Sequence, residues 1–171
     1  MKKIIIFIAL AVITVKSNSQ SPVDRFFDRY SGTEGFTTVY ITKYMFDMFR
    51  DIENTEGDKE MEEVIGKLNS IKILATDDDP NTKTSINLYD EVLKTLPKSE
   101  YKELMVIKEQ NENVIFLIRE KDNKVTELLL LVGSPDESVI ISIQGDIDMK
   151  NISRIAKSMN IEGMDKLEKI E

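Results

Sequence analysis

YKELMVIK (101–108), NVIFLIR (113–119), VTELLLLV (125–132) and SVIISIQ (138–144) follow one another closely, and their reading decides the fold. Each run is rich in β-branched or aliphatic side chains, as strands are. The stretches between them, 110–112, 121–124 and 133–137, are short enough for hairpins. Asp122-Asn123 and Ser134-Pro135-Asp136 have the side chains that tight turns favour. An antiparallel meander of about four strands is expected. Within 114–118 and 139–143 both odd and even positions are mostly apolar, whereas a sheet wet on one face alternates with polar residues. Both faces of this sheet therefore need a cover. Helices of the same chain are the first candidate, and a second copy, giving a homodimer through the sheet, is the alternative.

Toward the N-terminus, SIKILA (70–75) and FTTVYI (36–41) add one or two strands. The remaining segments carry helical periodicity. Val23, Phe26, Phe27 and Tyr30 form a stripe over 22–30, with Pro22 in the first turn and Gly32 and Gly35 ending the element. Met45, Met48, Phe49 and Ile52 form a second stripe, and Met61, Val64, Ile65 and Leu68 a third. Asp77, Asp78, Asp79 and Pro80 suit the start of a helix running to Leu96, with Ile86, Tyr89, Val92, Leu93 and Leu96 inward and Pro97 as the stop. Asp148 is placed to cap a last helix carrying Ile152, Ile155, Ala156 and Met159, followed by a charged tail. The sum is an α+β protein: a C-terminal meander and one or two N-terminal strands, packed with four to five helices, in one domain over residues 20–171.

Residues 1–19 read as a signal peptide. Met1-Lys2-Lys3 is a basic start, and 4–15 is apolar except for Thr14. That run is too short for a comfortable bilayer span, which needs roughly 20 residues. Ser17 and Ser19 offer small side chains at alternate positions, so cleavage is expected after Ser19, with cleavage after Gln20 the close competitor. The expected product is exported, periplasmic or secreted, and has no transmembrane anchor. With no cysteine in the chain it cannot be a lipoprotein.

The formal charge is -8, and the leader carries Lys2, Lys3 and Lys16 without an acid, so the remainder is more acidic still. Phosphate backbones repel such a surface, and no nucleic-acid partner is expected. The chain has no histidine and no cysteine. Serine triads with an imidazole base, thiolate nucleophiles and zinc sites built on imidazole or thiolate are thereby excluded. Asp77 to Asp79 lack the acid spacing and central glycine of a calcium loop, and Gly66-Lys67 lacks the rest of a phosphate-binding loop. No cofactor, metal site or catalytic residue is assigned.

Carboxylate chemistry remains open. Glu103 and Glu127 each interrupt a β pattern and are the acids to follow, although an edge or outward-facing position explains them more simply. Aromatic residues gather between Phe26 and Phe49. Tyr44 and Phe46 fall off the Met45/Met48/Phe49 stripe and are the candidates for an aromatic binding surface.

FDRYSGTEGFTTVYITKYM (27–45), LNSIKIL (68–74), YKELM (101–105), ELLLLV (127–132) and VIISIQG (139–145), with 152–159 after them, resemble in order the exported proteins of Bacteroidetes grouped as domain-of-unknown-function family 4252. The resemblance implies an envelope or secreted location and one small domain, and brings no activity or site residue. The expected function is a non-catalytic binding or interaction module of the cell envelope with a protein partner there. The rival reading is a carboxylate-dependent hydrolase acting on an envelope glycan or peptide.

Overall fold

The computed structural model describes residues 21–52, 64–77, 81 and 84–148. Its frame is a six-stranded, wholly antiparallel sheet in the order β1-β2-β6-β5-β4-β3. The strands are β1 (Phe36–Thr42), β2 (Leu68–Thr76), β3 (Tyr101–Lys108), β4 (Asn113–Lys121), β5 (Lys124–Gly133) and β6 (Ser138–Ile147). The last four pair in chain order, so the expected meander is present. The two N-terminal strands extend it beyond β6.

The turn chemistry explains the register. Asp122 and Asn123 both adopt positive φ, 52° and 61°, so β4 and β5 are joined by a two-residue turn whose twist matches that of the strands. At the next turn the Ser134 amide donates to the Glu137 carbonyl, and the Ser134 hydroxyl accepts from the amides of Asp136 and Glu137. Gly32 and Gly35, at φ 72° and 85°, supply the left-handed conformations that bring the chain from the first helix into β1.

Three helices lie among the described residues: α1 (Asp24–Tyr30), α2 (Lys43–Ile52) and α3 (Leu88–Thr95). Residues 64–66 are also helical and lead into β2. The helix expected from Asp77 to Leu96 is shorter than its sequence suggested. Asn87 is the actual cap, its side-chain oxygen accepting from the Asp90 amide at 3.2 Å, and the Leu88 amide donates to Ser138 Oγ at 2.9 Å. The helix starts only at Leu88 because Asn87 caps the Asp90 amide and Ser138 of β6 takes the Leu88 amide, and residues 84–87 before it are non-helical. The expected helix after Asp148, part of the stripe between 61 and 68, and the leader lie outside the described residues.

The pleat sorts the sheet into two faces. One carries Leu74, Ile115, Leu117, Leu129, Leu131 and Ile140, closed by Val23, Phe26, Phe27 and Tyr30 of the α1 segment and by Leu88, Val92 and Leu96 around α3. Arg29 and Tyr30 of α1 both bond Glu91 of α3, at 2.6 and 2.5 Å, and Tyr30 stacks on Phe36 with centroids 4.5 Å apart. The opposite face carries a second cluster of Phe116, Ile118, Val125, Leu128 and Ile147, with Met105, Val114, Leu130 and Ile143 half-buried beside it. Both faces are apolar, as the runs at 114–118 and 139–143 implied.

Where α3 crosses β5 the approach is too close for a side chain. A Cβ on Gly133 would lie 2.6 Å from Tyr89 Cβ. Gly133→Ala should therefore lower stability by about 1–3 kcal/mol, the usual cost of overpacking, without altering the β4–β5 hairpin. A shift in urea midpoint with an unchanged slope would show this.

Candidate functional site

Successive rows across the inner face differ in polarity, and this places the site. The row Thr38–Leu74–Ile140–Leu131–Ile115–Val106 is mostly apolar. At the other end of the strands the row reads Thr42–Ser70–Gln144–Glu127–Arg119–Tyr101. Strand alternation sends every member of that row to the same side of the sheet. A polar strip therefore runs beneath the start of α1.

Glu127 is the centre of the strip, with only 1% of its surface exposed. Ser142 Oγ donates to its Oε1 at 2.6 Å, and Ser21 Oγ and Tyr101 Oη donate to its Oε2 at 2.6 and 2.7 Å. Ser21 Oγ and Tyr101 Oη are 3.0 Å from each other. Each hydroxyl has one proton, and both protons point at Glu127, so that short contact is two donors converging on one acceptor. A buried carboxylate without such donors would cost several kcal/mol.

Asp24, the first residue of α1, is the second buried acid. It accepts from Lys72 Nζ at 2.7 Å, from Gln144 Nε2 at 3.1 Å and from the Ser21 amide at 3.0 Å. Gln144 Nε2 also lies 3.2 Å from Ser142 Oγ, which closes a ring joining Asp24 to Glu127 through Ser21 on one side and through Gln144 and Ser142 on the other. The Lys72 ammonium sits 5.7 Å from the Phe27 ring centre and 5.1 Å from that of Tyr40, so its charge meets aromatic faces as well as Asp24. Burial and the neighbouring Glu127 carboxylate push the Tyr101 phenol well above its ordinary range.

An open cleft of about 590 Å³ lies against the ring, lined by Ser21, Asn69, Arg119, Lys124, Gln144 and Asp146 among others, with Glu127 in its wall. Lys124 pairs with Asp146 at 2.8 Å and Arg119 with Glu100 at 3.1 Å. Among the described residues no group of three acids, histidines or cysteines is placed to hold a metal ion, and no helix is long and apolar enough to cross a membrane.

The acids singled out from sequence separate here. Glu103 is exposed on the edge strand β3, as an edge position required. Glu127 is the opposite of outward-facing: its parity matches Leu129 and Leu131, and the hydroxyls around it replace the water it gives up. Its partners Ser21, Asp24, Tyr101, Ser142 and Gln144 were not anticipated. Ser142 and Gln144 share parity with the inward Ile140, and that alternation was the available signal.

The aromatic pair also divides. Tyr44 is 87% exposed, whereas Phe46 is 7% exposed and contributes to the interior, so Phe46 drops out of any aromatic surface. Five of the six exposed large apolar side chains among the described residues fall between positions 39 and 48, namely Val39, Tyr40, Tyr44, Met45 and Met48. β1 and α2 thus carry an apolar outer surface, at the sheet edge opposite β3.

A six-stranded antiparallel sheet with α1 and α3 packed on one face and a buried acid ring at one end is the class of protein that the described residues define. The chain belongs to the family described as Domain of unknown function (DUF4252), whose model matches residues 30–155. No curated protein and no solved structure matches it.

The raised phenol has a consequence that can be measured. A group whose folded value lies above its unfolded value of about 10 supports folding below that pH, and the support is lost as the pH rises past it. Stability should fall as pH climbs above 10, and Tyr101→Phe should flatten that fall while lowering stability at neutral pH by about 1–3 kcal/mol, because Glu127 loses a donor. Urea titrations of both proteins at neutral and high pH check the sign.

Proposed function

We propose that this protein is an exported, non-catalytic interaction module of the cell envelope, engaging a protein surface through β1 and α2. The observation that carries the reading is the concentration of exposed apolar side chains between positions 39 and 48. Isolated exposed apolar residues are ordinary, but five within ten positions of an acidic, highly charged chain are the composition of a contact surface. Tyr44 and Tyr40 supply the large amphipathic contacts that dominate protein interfaces, and Met45 and Met48 the adaptable ones. The export element rests on the basic and apolar leader with its small-residue exit.

The acid ring argues against the hydrolase reading. A general acid or base must exchange a proton with a bound substrate. Here both oxygens of Glu127 and of Asp24 accept from donors of the chain itself. The ring has the wiring of a structural fastening, and the catalytic role would require breaking it.

Capture from envelope extracts of the native host tests the proposal. Tagged wild-type protein should retain a defined partner, and Tyr44→Ser combined with Met48→Ser should lose it while keeping thermal stability within about 0.5 kcal/mol of wild type, since both side chains are at the surface. Equal capture by the two proteins would refute the assigned surface.

A further inference from the structure

The β1 edge carries enough information to name what pairs with it. In the β1–β2 ladder the Asp77 amide donates to the Gly35 carbonyl at 2.8 Å, and these two residues continue the register Phe36↔Thr76. Gly35 is thus a hydrogen-bonded position toward β2, and by alternation so are Thr37, Val39 and Ile41. Phe36, Thr38, Tyr40 and Thr42 turn their backbone groups outward. The Phe36 amide is already used by the Thr33 carbonyl at 3.2 Å, and Thr42 runs directly into α2. Among the described residues Thr38 and Tyr40 remain, two positions flanking the exposed Val39.

Natural edge strands are usually blunted by charge, proline or a bulge. β1 has none of these: its sequence FTTVYIT is uncharged, and its register to β2 is continuous. Its flanks are charged with opposite sign, the exposed Glu34 before it and the exposed Lys43 after it, the latter also 3.1 Å from Asp47 within α2. An antiparallel partner that presents a basic flank to Glu34 and an acidic flank to Lys43 is complementary, and a second copy of the same strand is such a partner.

We infer that two copies of this chain pair through β1, antiparallel, about a two-fold axis at Val39. This rests on the interaction reading above and gives its partner. The register is dictated by the free groups. Only with Val39 opposite Val39 does Thr38 of each copy face Tyr40 of the other, forming about four backbone hydrogen bonds. The same register sets Gly35 opposite Lys43, so Glu34 of each copy lies beside the other copy's Lys43. The two sheets then run on as one, and the two-fold makes the contact self-limiting.

The absence of cysteine from the chain makes the register directly testable. In a non-hydrogen-bonded antiparallel pair the facing Cα atoms are about 4.5 Å apart, within disulfide reach. Protein expressed from the full sequence and purified after export should sediment as a dimer. Val39→Cys should oxidise to a covalent dimer under mild conditions. Ile41→Cys should not, because the two positions 41 lie more than about 13 Å apart along the strands. Tyr40→Pro should sediment as a monomer with an unchanged circular dichroism spectrum, because the amide it removes points away from β2. A monomeric wild type, or equal crosslinking at 39 and 41, overturns the self-pairing. In either case, loss of envelope capture by the Tyr44/Met48 variant would still uphold the broader interaction reading, so the two failures are distinguishable.

Discussion

The Glu127 carboxylate, shut away from water and held by three neutral hydroxyls, is the interaction on which the rest of the architecture depends. Its donors come from the segment before α1, from β3 and from β6, so the carboxylate is satisfied only when those elements are all in place. A shift of α1 along the sheet would strip Ser21 from Glu127 and Lys72 from Asp24 together, exposing two acids to an environment that cannot solvate them. Apolar contacts alone tolerate sliding, because they are non-directional. The ring therefore fixes where α1 lies, and once α1 is fixed, Phe26, Phe27 and Tyr30 can seat only over the apolar rows beside it.

The far end of the same face is secured differently. There the Leu88 amide meets Ser138 Oγ, the Asn87 side-chain amide donates to the Ser134 carbonyl, and Tyr89 presses on Gly133 where a methyl would not fit. Backbone proximity rather than buried charge positions α3. Arg29 and Tyr30 then join α1 to α3 through Glu91. Burial of the Tyr30 phenol and its bond to Glu91 both push it above its ordinary range, so it remains a proton donor in that bridge.

Much of the frame was legible because it is local. The β4–β5 turn is written in Asp122-Asn123, and the apolar runs from 101 to 144 lie within the observed strands. The placement of β1 and β2 beside β6 was not legible, since nothing within FTTVYIT or SIKILA encodes which strand each will meet. α2 shows the limit of periodicity. Met45/Met48 and Phe46 are two apolar faces of one helix, and the angle at which the chain leaves Thr42 decides between them; Phe46 packs inward and the methionines face out. The α3 start was misread because Asp77 to Pro80 has the composition of a cap, while the real cap, Asn87, depends on Ser138 from a strand fifty residues later. The acid ring was hidden for the same reason. Ser21, Asp24, Tyr101, Glu127 and Ser142 are unremarkable singly, and only the register sets them side by side.

The distribution of chemistry between inside and outside now bears on function. The two buried acids, Asp24 and Glu127, are engaged within the ring, and their loss would be felt as instability. Val39, Tyr40, Tyr44, Met45 and Met48 are exposed, on α2 and on β1, which together with β3 is an outer strand of the sheet among the described residues. β3 is protected by the means that edge strands ordinarily use, with Lys102, Glu103 and Lys108 exposed along it and a break in its register to β4. β1 has no such protection. Two edges of one sheet, one carrying charge and one left clean, differ in a way that folding stability does not require, and the self-pairing proposed for β1 accounts for the difference.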